Sequence, residues 1–267
     1  MGKRFISKMG RGVSDLRRYR YFLYQVIKTK FVVRYAQSFL GVVWVVLEPM
    51  LLVVSLSVIF TVIGRRGLPG VPFPLFFYSG VLIWRIFSES LTQGTRTFLE
   101  DRSLMKKIDY PRWLSLLSRL SVTFLDFVFA NVAFICLLVY YRVQPTVNWL
   151  YIPAILGLQL FISFSIMMSF ATINVYVRDI GRISGVLSTI WFFFSGIIFY
   201  FPYEGKTKLI FFINPIVGII NSYRRIILFG EAPILQQLYC AFAASVVLFT
   251  VGVLVYRKYS RNFLDVF

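Results

Sequence analysis

Histidine is absent from the 267 residues, and there are only two cysteines, Cys136 and Cys240. The first absence removes the commonest general base and the commonest metal ligand. Each cysteine lies inside an apolar run with no second thiol nearby, so both read as buried structural thiols, not a disulfide or metal pair. Acidic side chains are scarce: 11 Asp and Glu stand against 29 Lys and Arg, a formal net charge of +18. With no histidine and no cluster of cytosolic carboxylates, an acid–base enzyme is the weakest functional reading. A nucleotide-binding loop is missing too. Gly205-Lys206-Thr207 imitates the end of one, but the glycine required five positions earlier is Tyr200. No internal repeat is visible, and the basic N-terminus has no short apolar core before a cleavage site, so no cleaved leader is expected.

Apolar length is what the chain has in abundance. Hydrophobic residues make up 58% and charged residues 15%, proportions foreign to a soluble domain. From Phe39 to Ile63 only Glu48 is ionisable, which is enough to cross a bilayer as a helix. Runs of this kind recur, and the expected fold is all-α and polytopic, with spans at about 39–63, 75–92, 113–140, 150–176, 184–201 and 234–256. Leu209–Ile220 is too short to span and is interrupted by Asn214-Pro215, so residues 203–229 read as a re-entrant segment. Residues 1–36 read as a cytosolic basic tail and an amphipathic interface helix, and 37–267 as one transmembrane domain. A plain extension of the first span is the alternative for the helix.

Charge placement orients this plan. The segments assigned to the inside hold 20 Lys and Arg, and those assigned to the outside hold 7. That bias predicts six spans with both termini cytosolic. Nucleic-acid binding is excluded, because the basic residues sit in short loops between apolar runs, not on one folded polar face.

Several intramembrane groups invite two readings. Glu48-Pro49 breaks the hydrogen bonding of the first span and lines or hinges a pathway, or else forms a satisfied pair. Arg85, Glu89, Arg119 and Asp126 read as structural ion pairs or, in a proton-coupled carrier, as ion-binding carboxylates. Gly181-Arg-Ile-Ser-Gly185 offers a close-packing GxxxG at the fifth span.

Arg34-Tyr35, Gln37-Ser38, Leu40-Gly41, Trp44 and Pro49 resemble the start of the first membrane helix in permease subunits of bacterial ABC-type polysaccharide exporters. That family includes the O-antigen, capsule and teichoic acid permeases Wzm, KpsM and TarG. Shorter matches lie at Lys107–Arg112, Arg178-Asp179, Asn214-Pro215 and Arg224, and Arg34-Tyr35 with Gln37-Ser38 looks nearest the O-antigen type.

The resemblance implies a homodimeric permease in the bacterial inner membrane, driven by two copies of a separate ABC ATPase that binds the ATP and magnesium. Its cargo would be a lipid-linked polysaccharide, and the chain itself would hold no cofactor and no metal. It implies an aromatic tunnel lining, here Trp44, Trp84, Phe87, Trp191, Phe193, Phe199, Tyr200 and Tyr203. It implies ATPase coupling through Glu100, Asp101, Lys106, Lys107, Tyr110, Pro111 and Arg112, with Arg178 and Asp179 in the second inner loop. Arg17, Arg18, Arg34 and Tyr35 would meet the lipid headgroup and membrane lipid, and Asn214, Pro215 and Arg224 would form an outer gate. The competing reading from another class is an ion-coupled carrier or channel using Glu48, Glu89 and Asp126.

Overall fold

The computed structural model describes residues 16–36, 38–62, 70–260 and 263. Every regular element among them is helical: α1 (Arg20–Tyr35), α2 (Val43–Val62), α3 (Phe73–Glu100), α4 (Arg102–Lys107), α5 (Trp113–Tyr140), α6 (Ile152–Tyr176), α7 (Ile180–Phe194), α8 (Lys208–Ile213), α9 (Pro215–Leu228) and α10 (Leu235–Tyr259), plus two short 3₁₀ turns. Residues 1–15 of the basic N-terminal tail, Gln37, residues 63–69 after the first span, and residues 261–262 and 264–267 lie outside the described residues.

Four helices are long and apolar enough to cross a membrane: Val43–Phe60, Trp113–Tyr140, Val147–Tyr176 and Leu235–Tyr259. Several of their hydroxyls are satisfied within the helix: Ser121 donates to the Leu117 carbonyl at 2.9 Å, Thr172 to Met168 at 2.7 Å and Ser245 to Ala241 at 2.6 Å. Such back-bonding lets serine and threonine sit where no water is available. The left-handed turn ahead of α2 falls at Gly41, with φ +52°, a conformation only glycine adopts freely.

Helix α3 is the axis of the bundle. Eighteen of its 28 residues are buried, against α2, α5, α6, α7 and α9. The polar loop expected from residue 93 begins only after Glu100. Gly94, Thr95 and Thr97, which sequence polarity assigns to solvent, are buried; a Cβ at Gly94 would meet the Met167 side chain of α6. At 1.5 Å per residue α3 is about 42 Å long, so it outreaches a hydrocarbon core of about 30 Å. The expected fifth span is also revised, because α7 stops at Phe194, and Gly196 (φ +69°) turns the chain away.

The bundle has two ends. The basal end carries α4, the C-terminal ends of α3, α6 and α10, and α1. The distal end carries α8, α9 and the N-terminus of α3. Helix α10 lies against α6 closely enough that a Cβ on Gly252 would sit 3.0 Å from the Ser165 carbonyl oxygen and 3.1 Å from Ser169 Oγ. Gly252→Val is therefore expected to force the two helices apart at a cost of about 1–3 kcal/mol. Thermal unfolding of the detergent-solubilised protein checks this, and an unchanged midpoint would contradict so close an approach.

Candidate functional site

Four regions carry the residues singled out above: an ion cluster beneath α1, the basal loops, the distal helix break and the aromatic contacts of α7.

The ion cluster exists because α1 lies across the basal parts of α3 and α5. Arg34 spans two carboxylates, Glu89 of α3 at 2.8 Å and Asp126 of α5, while the Tyr35 hydroxyl donates to the other Asp126 oxygen at 2.7 Å. Arg85 joins Glu89 at 3.2 Å and Glu48 at 3.1 Å. Lys30 bonds Asp101 at 2.7 Å and Ser118 at 3.0 Å, and Arg119 pairs with Glu100. Burial lowers the Lys30 pKa, against the raising effect of Asp101. All five intramembrane charges left open by sequence (Glu48, Arg85, Glu89, Arg119 and Asp126) therefore have ion-pair partners. Arg34 and Tyr35 are turned into the protein toward α3 and α5, whereas Arg17 and Arg18 are exposed. Glu48 is the outlier, since its side chain remains 70% exposed on an otherwise apolar helix.

At the basal end, α4 and the residues after it form a shallow cavity of about 310 Å³ lined by Met105, Lys106, Lys107, Ile108, Asp109, Tyr110 and Arg112. Lys106, Lys107 and Asp109 are exposed, whereas Asp101 and Tyr110 are buried and hold the loop from below. The Tyr110 hydroxyl is 2.7 Å from Ser115 Oγ, and burial pushes its pKa up to about 12, so it stays a neutral hydrogen-bonding group. Pro111 and Arg112 are half-buried, and Glu100 keeps substantial exposure. Arg178 and Asp179 lie exposed in the second basal loop. That loop is held by a residue the sequence did not flag: Asn174 Oδ1 accepts from the Gly181 N–H at 2.9 Å, and its Nδ2 donates to the Thr95 carbonyl of α3 at 3.0 Å. Asn174 thus gives the Gly181 amide in the first turn of α7 a second acceptor, closer than the Arg178 carbonyl at 3.2 Å, where Asp179 makes no side-chain cap.

At the distal end Asn214 ends α8 and caps α9. Its Oδ1 accepts from the Ile216 N–H at 3.1 Å, and its Nδ2 donates to Ser195 Oγ at 2.9 Å and the Phe194 carbonyl at 3.2 Å. Pro215 occupies the first helical position, where its missing N–H costs nothing. Nine residues further along the same helix, Arg224 is 2% exposed. Its Nε donates to the Phe76 carbonyl at 3.2 Å, Nη1 to Gly196 at 2.5 Å and Nη2 to Ile197 at 2.9 Å, and its guanidinium lies over the Phe76 ring at 3.7 Å. The fork closes the carbonyls left open where α7 ends, and ties them to α3 and α9. Among the described residues Arg224 has no carboxylate within ion-pair distance. Nearby, the Thr207 hydroxyl of the false nucleotide loop donates back to the Glu204 carbonyl at 2.6 Å, which closes a turn before α8.

The aromatic residues divide. Trp84 and Phe87 are buried and interlock α3 with α7, edge-on to Phe192 at 5.9 Å and Trp191 at 5.7 Å. Trp44, Phe193 and Phe199 are exposed, while Trp191, Tyr200 and Tyr203 are half-buried. Along α7 and α8 an apolar groove of about 490 Å³ is bounded by Leu187, Ile190, Trp191, Phe194, Ile210 and Ile213.

Long apolar helices, with many of their buried polar groups met by the chain itself, define a multi-pass helical membrane protein. The chain belongs to the ABC-2 type transporter family, whose model matches residues 21–228. It is similar to an O-antigen export system permease protein RfbA of Myxococcus xanthus, with 28% identity over 260 residues, covering 96% of this chain and 99% of that protein. A protein of the same name from Klebsiella pneumoniae is 27% identical over 238 residues, covering 88% and 90%.

Two outcomes test this geometry. Arg34→Gln leaves Asp126 without a cation, while Glu89 keeps Arg85, and is expected to cost about 3–5 kcal/mol, whereas adding Asp126→Asn to it costs less than the sum of the two single changes. A double-mutant cycle on unfolding free energy reads this, and additivity would contradict the pair. Arg224→Lys keeps the charge but loses the planar fork. It leaves at least one buried carbonyl unpaired at about 1–3 kcal/mol, so the lysine is expected to lower the unfolding midpoint nearly as far as Arg224→Met does.

Proposed function

We propose that this chain is the membrane permease subunit of an ABC exporter that moves a lipid-linked polysaccharide, of O-antigen or capsule type, across the bacterial inner membrane. The observation that carries this reading is likeness to O-antigen export permeases along almost the whole length of both chains. ATP hydrolysis belongs to a separate ATPase subunit, present in two copies against a permease homodimer. Helices α3 and α7 complete six crossings with both termini cytosolic. In support, α1, the basal loops and Phe263 share one end of the bundle, where the basic residues of both inner loops also lie.

In this arrangement α4 and residues 108–112, with Arg178 and Asp179, receive the ATPase. The exposed Lys106 and Lys107 offer contact charge, and the buried Asp101 and Tyr110 transmit it to α1 and α5. The helix break at Asn214 forms the outer gate of a re-entrant pair, α8 and α9, which Asn214-Pro215 separates at the distal end. Glu48 marks the side of α2 that faces a hydrated path or a second protomer, because an exposed carboxylate cannot face lipid cheaply. The exposed aromatics Trp44, Phe193 and Phe199 are placed to stack on sugar rings while letting them slide. A polymer exceeds the reach of one rocking movement, so export proceeds by repeated short strokes. The pairing of Glu89 and Asp126 with Arg34 weighs against the ion-coupled carrier, whose carboxylates must be free to exchange an ion.

Export of surface glycan in cells carrying this permease checks the proposal. Loss of export on deleting the neighbouring ABC ATPase, and its return with that ATPase but not with a hydrolysis-dead form, is the expected result. Export persisting without any ATPase, driven by an ion gradient in proteoliposomes, would overturn it.

A further inference from the structure

The basal end contains a residue that no motif identifies. Phe263 lies beyond the last helix and is fully buried (0% exposed). Its ring meets Phe98 at the end of α3 at 5.0 Å and Tyr176 at the end of α6 at 6.2 Å. The Arg112 guanidinium, from the loop after α4, lies over the ring at 5.5 Å. Phe263 thus touches the flank of both basal loops at once: Arg112 ends the first, and Tyr176 immediately precedes the second. The surroundings reinforce the bridge. The Tyr176 hydroxyl donates to the Tyr259 carbonyl at 2.7 Å, and Phe98 also meets Tyr256 of α10 at 6.2 Å. Phe98, Met105, Tyr110 and Phe263 belong to a single buried cluster, distinct from the main core that surrounds the middle of α3.

We propose that Phe263 is a positioning residue for energy coupling: its ring locks the two basal loops into one rigid unit, so that a push on either moves α3, α6 and α7 together. The proposal rests on the reading of those loops as ATPase-receiving elements. Its physical basis is that neither loop is stiff by itself. Helix α4 has six residues, and the second loop is a short turn whose one side-chain bond to α3 runs through Asn174. A loop that yields absorbs a stroke, and a loop packed against a shared aromatic transmits it. The ring does two things that an aliphatic side chain of similar bulk cannot: it packs ring against ring, tilted at 55°, on Phe98 and Tyr176, and it presents a π-face to Arg112.

The test uses the full permease assembled with its ATPase, in proteoliposomes for ATP hydrolysis and in cells for export. Phe263→Ala and Phe263→Leu are expected to co-purify with the ATPase as the unaltered chain does and to hydrolyse ATP, yet to export about tenfold less glycan per ATP, the scale expected of a residue in a coupling path. Phe263→Trp, which keeps a π-face, is expected to stay within about twofold of the unaltered chain. If Phe263→Ala does not accumulate in the membrane, Phe263→Leu carries the test, because it preserves apolar bulk. An unchanged ratio of export to hydrolysis in the leucine variant, or equal loss in the leucine and tryptophan variants, would overturn the proposal. Failure of the unaltered chain to require any ATPase would instead overturn the functional reading, and that result appears in the control arm.

Discussion

A polar group buried among hydrocarbon has only its own chain to bond to, and that constraint shapes this protein more than any single contact. An unpaired amide or charge in such surroundings costs several kcal/mol. Several irregular features of the bundle are accordingly places where a side chain closes an open backbone or ionic group. Arg224 closes the carbonyls where α7 ends, Asn214 caps the break between α8 and α9, and Asn174 meets the first turn of α7. The ion cluster obeys the same rule. Asp126, buried on α5, needs a cation from outside its helix, and Arg34 of α1 supplies it while also reaching Glu89 of α3.

These closures also define a mechanical route. The basal loops rest on buried side chains that reach α1, α3, α5 and α6. From there α3 runs the whole height of the bundle, and its distal end is gripped by Arg224 through the Phe76 carbonyl and ring. Trp84 and Phe87 fasten α7 to the same helix midway. A displacement applied at the base therefore has a stiff element to travel along to the helix break at Asn214, the proposed gate.

The all-helical, membrane-spanning character of the chain could be read from its apolar runs, because a run such as 113–140 has no other stable solution in lipid. The limits of α3 were less legible. Threonines and glycines that look like loop residues in sequence are packing surface against α6 in space, and only the neighbouring helix reveals which they are. Asn214-Pro215 could be read locally as a break, since proline and an N-cap act within a few residues. The partners of Arg34, 55 and 92 positions away in sequence, and the burial of Phe263, depend on long-range packing that a single sequence does not encode in any local pattern.

The central claim is that motion entering at the base reaches the distal gate. Spin labels at Leu209 on α8 and Val147, both exposed at the distal end, report it by pulsed electron spin resonance on the assembled transporter. The account predicts that trapping the ATPase in its nucleotide-bound state moves the two labels relative to one another by about 2 Å or more, the scale of a helix shift. A separation that stays the same through the nucleotide cycle while glycan is exported would contradict it.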